Sequence, residues 1–140
     1  MKVLVSSCVI GCNCKYNGKN SKNLAVIDFL KGKDVISICP EMLAGMAIPR
    51  ACVEIVDGVV RDDQGNNVDS EYRKATELAL AKISDEKIEL AILQSRSPTC
   101  GVNEIYDGTF TGKLISGHGL FAKALMDRGY KVIDAEEFLI

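Results

Sequence analysis

The stretch KVLVSSC, residues 2–8, opens the chain with a short β-branched run that leads directly into a cysteine. Runs of this kind are typical of strands. The same arrangement recurs in DVISIC, residues 34–39, and a nearly continuous apolar run follows in IELAILQS, residues 88–95. A run that is apolar at consecutive positions predicts a strand covered on both faces, as in a parallel sheet.

Helical patterns separate these strands. Residues 69–84 form the clearest one, with apolar side chains predicted to share a face: Tyr72, Ala75, Leu78, Ala79 and Ile83. Shorter helices are predicted over residues 23–32 and 119–128, and a last strand over 131–134. Because strands that alternate with helices join into βαβ units, the sequence predicts an α/β fold, a three-layer Rossmann-like domain with a mainly parallel sheet.

Two β-hairpins are predicted as insertions into this domain. VEIVDGVVRD, residues 53–62, turns at Asp57-Gly58, and IYDGTFTGKL, residues 105–114, turns at Asp107-Gly108. The chain carries no internal repeat or linker, so we expect a single domain over residues 1–140.

The composition is that of an ordinary globular protein. Of 140 residues, 47% are hydrophobic and 26% charged, and the net charge is −2, which gives no indication of a nucleic-acid or membrane partner. No signal peptide or membrane span is evident. We therefore expect a cytoplasmic protein, in which thiols stay reduced and clustered cysteines indicate metal binding or catalysis rather than disulfides.

Three of the six cysteines follow predicted strands. Cys8, Cys39 and Cys100 are far apart in the chain, but ligands of an open parallel sheet bind at the carboxyl ends of its strands. We therefore expect these three thiols to meet at one edge of the sheet.

Several groups could be held by three thiolates. Soft sulfur ligands favour zinc, copper(I) or an iron–sulfur cluster. A structural zinc site would take a fourth ligand from Cys12, Cys14 or Cys52, whereas a four-iron cluster held by three cysteines leaves one iron open. Cysteines can also be buried as small hydrophobes, and this applies most to Cys52 between Ala51 and Val53.

Four ordered motifs resemble those of the thiouracil desulfidase family. They are SSCVIGCNCKYNG at 6–18, CPEMLAGMAIPR at 39–50, SRSPTCG at 95–101 and IYDGTFTGKL at 105–114. The resemblance implies a 4Fe-4S cluster held by Cys8, Cys39 and Cys100, a catalytic acid/base at Glu41 and a catalytic serine at Ser97. It also implies a reaction that removes sulfur from 2-thiouracil, giving uracil and hydrosulfide.

The residue types at these positions fit such chemistry. Glu41 stands one proline beyond Cys39, and a carboxylate there could activate water or protonate a ring nitrogen, although it could also be a solvated loop residue. Ser97 could hydrogen-bond a pyrimidine edge or relay a proton, or simply form the turn before Pro98. Arg96 is a candidate for neutralising the cluster or the sulfide.

The identity of the substrate is open at this stage. Tyr16 and Thr99 are candidates for lining the pocket, and we assign substrate binding to Tyr16 together with Arg96. Lys15 and Asn17 replace the arginine and aspartate that are common in the first motif of the family. The expected partner is a small thiolated nucleobase or thioamide. The alternatives are a non-catalytic redox or metal sensor and a structural zinc-binding protein.

Overall fold

A computed structural model describes residues 1–138. Its strands are β1 (Lys2–Ser6), β2 (Asp34–Ile38), β3 (Val53–Val56), β4 (Val59–Asp62), β5 (Leu90–Leu93), β6 (Glu104–Tyr106), β7 (Leu114–Ser116) and β8 (Val132–Asp134). Its α-helices are α1 (Leu24–Leu30), α2 (Pro40–Leu43), α3 (Asp69–Ile83) and α4 (Leu120–Asp127). Short 3-10 helices follow β1 and β8, at Ser7–Ile10 and Ala135–Phe138.

The main sheet has four parallel strands in the order β2-β1-β5-β8. From β1 the chain first adds β2 on one side and later adds β5 on the other. The strand order therefore reverses between β1 and β5, which opens a crevice outside their carboxyl ends.

Helices cover both faces of this sheet. Alternate residues of β1 and β5 point to opposite faces. One face packs against α1, and its buried cluster includes Val3, Val5, Val26, Leu30, Leu90 and Ile92. The other packs against α3 and α4, and its cluster includes Leu4, Ala79, Ile83, Ala91, Leu93, Phe121 and Leu125. The predicted three-layer α/β arrangement is confirmed.

The first hairpin has the predicted turn, and the second does not. Asp57 and Gly58, with φ of 49° and 80°, connect β3 to β4 in the two-residue form that favours glycine. In the second hairpin Tyr106 pairs with Leu114, so residues 107–113 form a wide loop, and the turn predicted at Asp107-Gly108 is wrong. The loop is wide because Glu54 of β3 accepts hydrogen bonds from its backbone.

Helix α3 buries a slightly different face from the one predicted. Tyr72, Ala75, Ala79 and Ile83 are buried as expected, but Leu78 is 38% exposed. Helix α2 was not predicted, because four residues are too few for a periodic pattern. Its first residue, Pro40, suits the start of a helix, where no intrahelical N–H bond is made. Within residues 1–138, no helix has the length and apolarity to cross a membrane.

Candidate active site

A cavity of about 480 Å³ opens at the carboxyl ends of β1, β2 and β5. Five cysteines border it: Cys8, Cys14, Cys39, Cys52 and Cys100. The structure thus brings the three cysteines that follow strands to one site, as the parallel sheet predicts. Glu41, Ser97, Thr99, Arg96 and Tyr16 border the same cavity.

The segment after β1 turns back sharply beside the cavity. Cys8 is buried within the 3-10 helix that follows the strand, and Gly11, with φ of 105°, donates its N–H to the Cys8 carbonyl. The chain then presents Cys14, which is 2% exposed, to the cavity. The Cys14 thiol lies against the thiols of Cys8 and Cys39. A fourth buried thiol therefore stands beside two of the three expected ligands.

The segment after β2 places Cys39 and Glu41 together. Cys39 caps the start of α2, and its carbonyl accepts the N–H of Leu43. Glu41 lies in the first helical turn and is only 8% exposed. Pro40 has a fixed φ, so the direction from Cys39 to Glu41 is restricted.

The turn after β5 organises Ser97, Thr99 and Cys100. The Ser97 hydroxyl oxygen accepts the backbone N–H groups of Thr99 and Cys100, each at 3.1 Å. Both of its lone pairs are then occupied, so its proton is free to be donated to the Thr99 hydroxyl, 2.9 Å away. Thr99 in turn donates to the Cys100 sulfur over 3.7 Å. Ser97 thus holds the turn in shape and begins a chain of hydroxyls that ends on a candidate ligand.

Helix α4 locks this turn in place. The turn carbonyls of Pro98 and Thr99 accept the N–H groups of Leu120 and Phe121, which are the free donors at a helix start. The approach requires glycine, since a Cβ on Gly119 would lie 2.5 Å from the Thr99 carbonyl carbon. The turn is therefore held rigidly against the core.

Glu41 forms a buried ion pair with Arg50, a residue that sequence reasoning missed. Arg50 Nη2 lies 3.2 Å from Glu41 Oε2, and each side chain is 11% exposed. The same nitrogen donates to the Cys14 carbonyl at 3.0 Å. Burial raises the pKa of Glu41, and the Arg50 charge opposes this shift without cancelling it. A carboxyl with a raised pKa suits proton transfer.

Arg96 and Tyr16 lie on the open side of the cavity. The Arg96 side chain is 36% exposed, and its guanidinium pairs with the Glu136 carboxylate. Tyr16 is exposed, and its carbonyl accepts the backbone N–H of Arg50 at 2.8 Å. Both residues border the cavity, and their assignment to substrate binding stays a prediction.

The buried thiols hold their protons tightly in this structure. Burial raises the pKa of Cys100 to about 12, and the nearby Glu41 carboxylate adds to the shift. Contact with Cys14 raises the pKa of Cys39, with burial contributing as well. Since thiolates are the metal-binding form, a metal or cluster would have to displace these protons on binding.

The donor set fits an iron–sulfur cluster better than a single ion. Thiolates are soft ligands suited to iron–sulfur clusters. No three His, Cys, Asp or Glu side chains within the described residues are grouped so that they could hold one metal ion. A four-iron cluster binds each cysteine on a separate iron, so its ligands stand farther apart. Cys8, Cys39 and Cys100, spread around one cavity, suit that requirement.

Comparison with known proteins agrees with this geometry. A family model described as 2-thiouracil desulfurase matches residues 3–137. The chain belongs to the 2-thiouracil desulfurase family. Membership in this enzyme family, predicted from the four motifs, is confirmed.

Two relatives of the family illustrate its range. The chain is 34% identical over 145 residues to the uncharacterized protein YbbK of Bacillus subtilis (strain 168), with 96% of each chain covered. It also resembles the solved structure of the 4Fe-4S-dependent thiouracil desulfidase TudS, with a TM-score of 0.87 and 29% identity. That match covers 97% of this chain and 91% of TudS, so the whole described fold is shared.

Proposed function

We propose that this protein is an iron–sulfur-dependent desulfidase that removes sulfur from a thiolated pyrimidine such as 2-thiouracil. The observation that carries the proposal is the meeting of Cys8, Cys39, Cys100 and Glu41 at one cavity. Family membership and the likeness to TudS support it.

Cys8, Cys39 and Cys100 are the residues we assign to a 4Fe-4S cluster. When bound, the cluster would supply an open iron that acts as a soft Lewis acid for sulfur. Cys14 is the neighbouring thiol without an assigned iron, and Cys52 lies on the side of the cavity formed by the hairpins. The cavity of about 480 Å³ has the size of a typical small-molecule site.

The reaction exchanges sulfur for oxygen without any change in oxidation state. Water forms a new C–O bond at the thiocarbonyl carbon, the C–S bond breaks, and the products are uracil and hydrogen sulfide or its anion. The attacking water must lose protons, and the departing sulfur or a ring nitrogen must gain one.

Glu41 is the group we assign to this proton transfer. Its burial keeps it poised to take a proton from water or to give one to the ring. Arg50 holds one carboxylate oxygen in place, which restricts the orientation of the carboxyl group.

Ser97 is assigned a supporting role at the opposite wall. Its oxygen is fixed by two backbone N–H groups, so its hydroxyl proton can be directed either to the ring edge or to Thr99. Arg96 and Tyr16 are proposed to contact substrate at the cavity mouth. The six free thiols, together with an open cluster, suit a cytoplasmic location.

The proposal is tested by anaerobic purification followed by turnover of 2-thiouracil. We expect brown protein containing about four irons per chain, as a 4Fe-4S cluster requires, and equal amounts of uracil and sulfide as products. A colourless anaerobic preparation with one zinc would instead support a structural zinc protein. A brown protein without turnover on any thiolated pyrimidine would support a sensor.

A further inference from the structure

The Glu41–Arg50 pair leaves two polar atoms without partners inside the wall of the cavity. Glu41 Oε2 and Arg50 Nη2 bond to each other, but Glu41 Oε1 and Arg50 Nη1 are shielded from water and make no hydrogen bond. Buried polar atoms are nearly always paired, and leaving charged ones unpaired costs free energy. An unpaired acceptor and an unpaired donor on one ion pair indicate a missing ligand.

Neighbouring side chains do not supply these partners. The Thr99 hydroxyl lies near Glu41, and the Tyr72 hydroxyl lies near Arg50. Neither completes a hydrogen bond to the two free atoms. The remaining polar capacity of the pair is therefore available to a molecule in the cavity, which both residues border.

The pair has the complementarity of a particular chemical group. A carboxylate oxygen accepts an N–H, and a guanidinium nitrogen donates to a carbonyl oxygen. An acceptor beside a donor therefore matches an N–H next to a C=O, which is the edge formed by N3–H and the 4-carbonyl of 2-thiouracil. The terminal carboxylate torsion has broad minima, so a small rotation can turn Oε1 towards a bound ring.

We propose that Glu41 and Arg50 together recognise the N3–H and 4-carbonyl of the substrate, which makes Arg50 a specificity-determining residue for 4-oxo-2-thiopyrimidines. This inference rests on the proposed function, because it assumes that the cavity accepts a thiolated pyrimidine. It adds a requirement that sulfur removal alone does not impose, namely a carbonyl next to the N–H.

Arg50 is held in the position that this role needs. Its backbone N–H is bound by the Tyr16 carbonyl at 2.8 Å, and Nη2 is bound by the Cys14 carbonyl and by Glu41. The planar guanidinium is therefore fixed at both ends, with Nη1 as its free corner. A lysine would keep the charge but would lose the fork that serves Glu41 and a ligand together.

Binding of products and turnover of substrates both test this recognition. Calorimetry on anaerobic holoprotein compares uracil with pyrimidin-2-one, which lacks the 4-carbonyl and the N–H beside it. We expect about 100-fold tighter binding of uracil, the size expected when hydrogen bonds to charged groups are lost. The kcat/KM for 2-thiouracil should exceed that for pyrimidine-2-thione by a similar factor.

Substitution then assigns the preference to Arg50. In Arg50→Met the preference for uracil should fall to about fivefold or less, and Arg50→Lys should reduce it about tenfold, because the hydrogen bond to the carbonyl is lost or weakened. Arg128→Met, an exposed arginine beyond α4, should keep the wild-type preference. Equal binding of the two products by the wild type overturns the proposal, as does a full preference in Arg50→Met.

The outcomes separate this inference from the proposed function. If no thiolated pyrimidine yields sulfide, the desulfidase function fails, while the comparison of uracil with pyrimidin-2-one still decides whether the edge is recognised. If Arg50→Met does not fold, Arg50→Lys decides, and an unchanged preference in that variant contradicts the proposal.

Discussion

Two arginine–carboxylate pairs border this cavity, and they differ in their access to water. Glu41 and Arg50 are both 11% exposed, whereas Arg96 and Glu136 are 36% and 43% exposed. The exposed pair exchanges one set of solvated contacts for another and contributes little. The buried pair keeps its charge only through its neighbours, and it leaves two atoms unsatisfied. Burial, rather than residue type, therefore separates the inner wall, formed by Cys8, Cys39, Glu41, Arg50 and Cys100, from the open rim.

The strongest test of this contrast compares two cysteines. Cys100→Ala should abolish iron binding and turnover, whereas Cys52→Ala should retain about four irons, as a 4Fe-4S cluster requires. Cys100 is the better choice of ligand because Cys14 lies beside Cys8 and Cys39 and could replace either of them. Iron is measured on anaerobic protein. Full iron content in Cys100→Ala would refute the ligand assignment.

The next test compares two glutamates. Glu41→Gln keeps the size and hydrogen-bonding atoms of the side chain but cannot exchange a proton, so kcat for 2-thiouracil should fall about 100-fold or more. Glu136→Gln only loosens an exposed ion pair, and its kcat should stay within about twofold of the wild type. Uracil formation measures both. Comparable rates in the two variants would remove Glu41 from the chemistry.

The two arginines provide a test by stability. Arg50→Met leaves the Glu41 carboxylate buried without its cation, which should lower the free energy of unfolding by about 3 kcal/mol. Arg96→Met breaks a pair at the surface and should cost less than about 1 kcal/mol. Urea denaturation of the two variants under one condition measures the difference. Equal losses would mean that burial does not distinguish the pairs.

The sequence predicts the inner wall only in part, and the reason is physical. Cys8, Cys39 and Cys100 are predictable because the parallel strands before them end at one edge of the sheet. Glu41 follows from its place beside Cys39 in a motif of the family. Arg50 was missed because it lies in an irregular loop, and its burial depends on the carbonyls of Cys14 and Tyr16, which are distant in sequence.

The same reasoning explains what was misjudged elsewhere. The second hairpin was expected to turn at Asp107-Gly108, but Glu54 from another strand binds the Gly108 N–H and fixes a wider loop. Local turn chemistry could not reveal that tertiary contact. In α3, helical spacing grouped Leu78 with the buried residues, because periodicity does not show how wide a face the neighbouring elements cover.

The smallest expected effect tests that last point on one helix. Ile83 is 1% exposed and packs against the sheet, so Ile83→Val should lower the free energy of unfolding by about 1 kcal/mol through loss of a buried methylene. Leu78 is 38% exposed, and Leu78→Gln, which preserves helix propensity, should change it by less than about 0.5 kcal/mol. Thermal or urea unfolding resolves the two. A larger loss at Leu78 would show that its side chain is covered in the folded protein, as the periodicity of the sequence predicts, and the boundary of the buried face of α3 would then have to be moved.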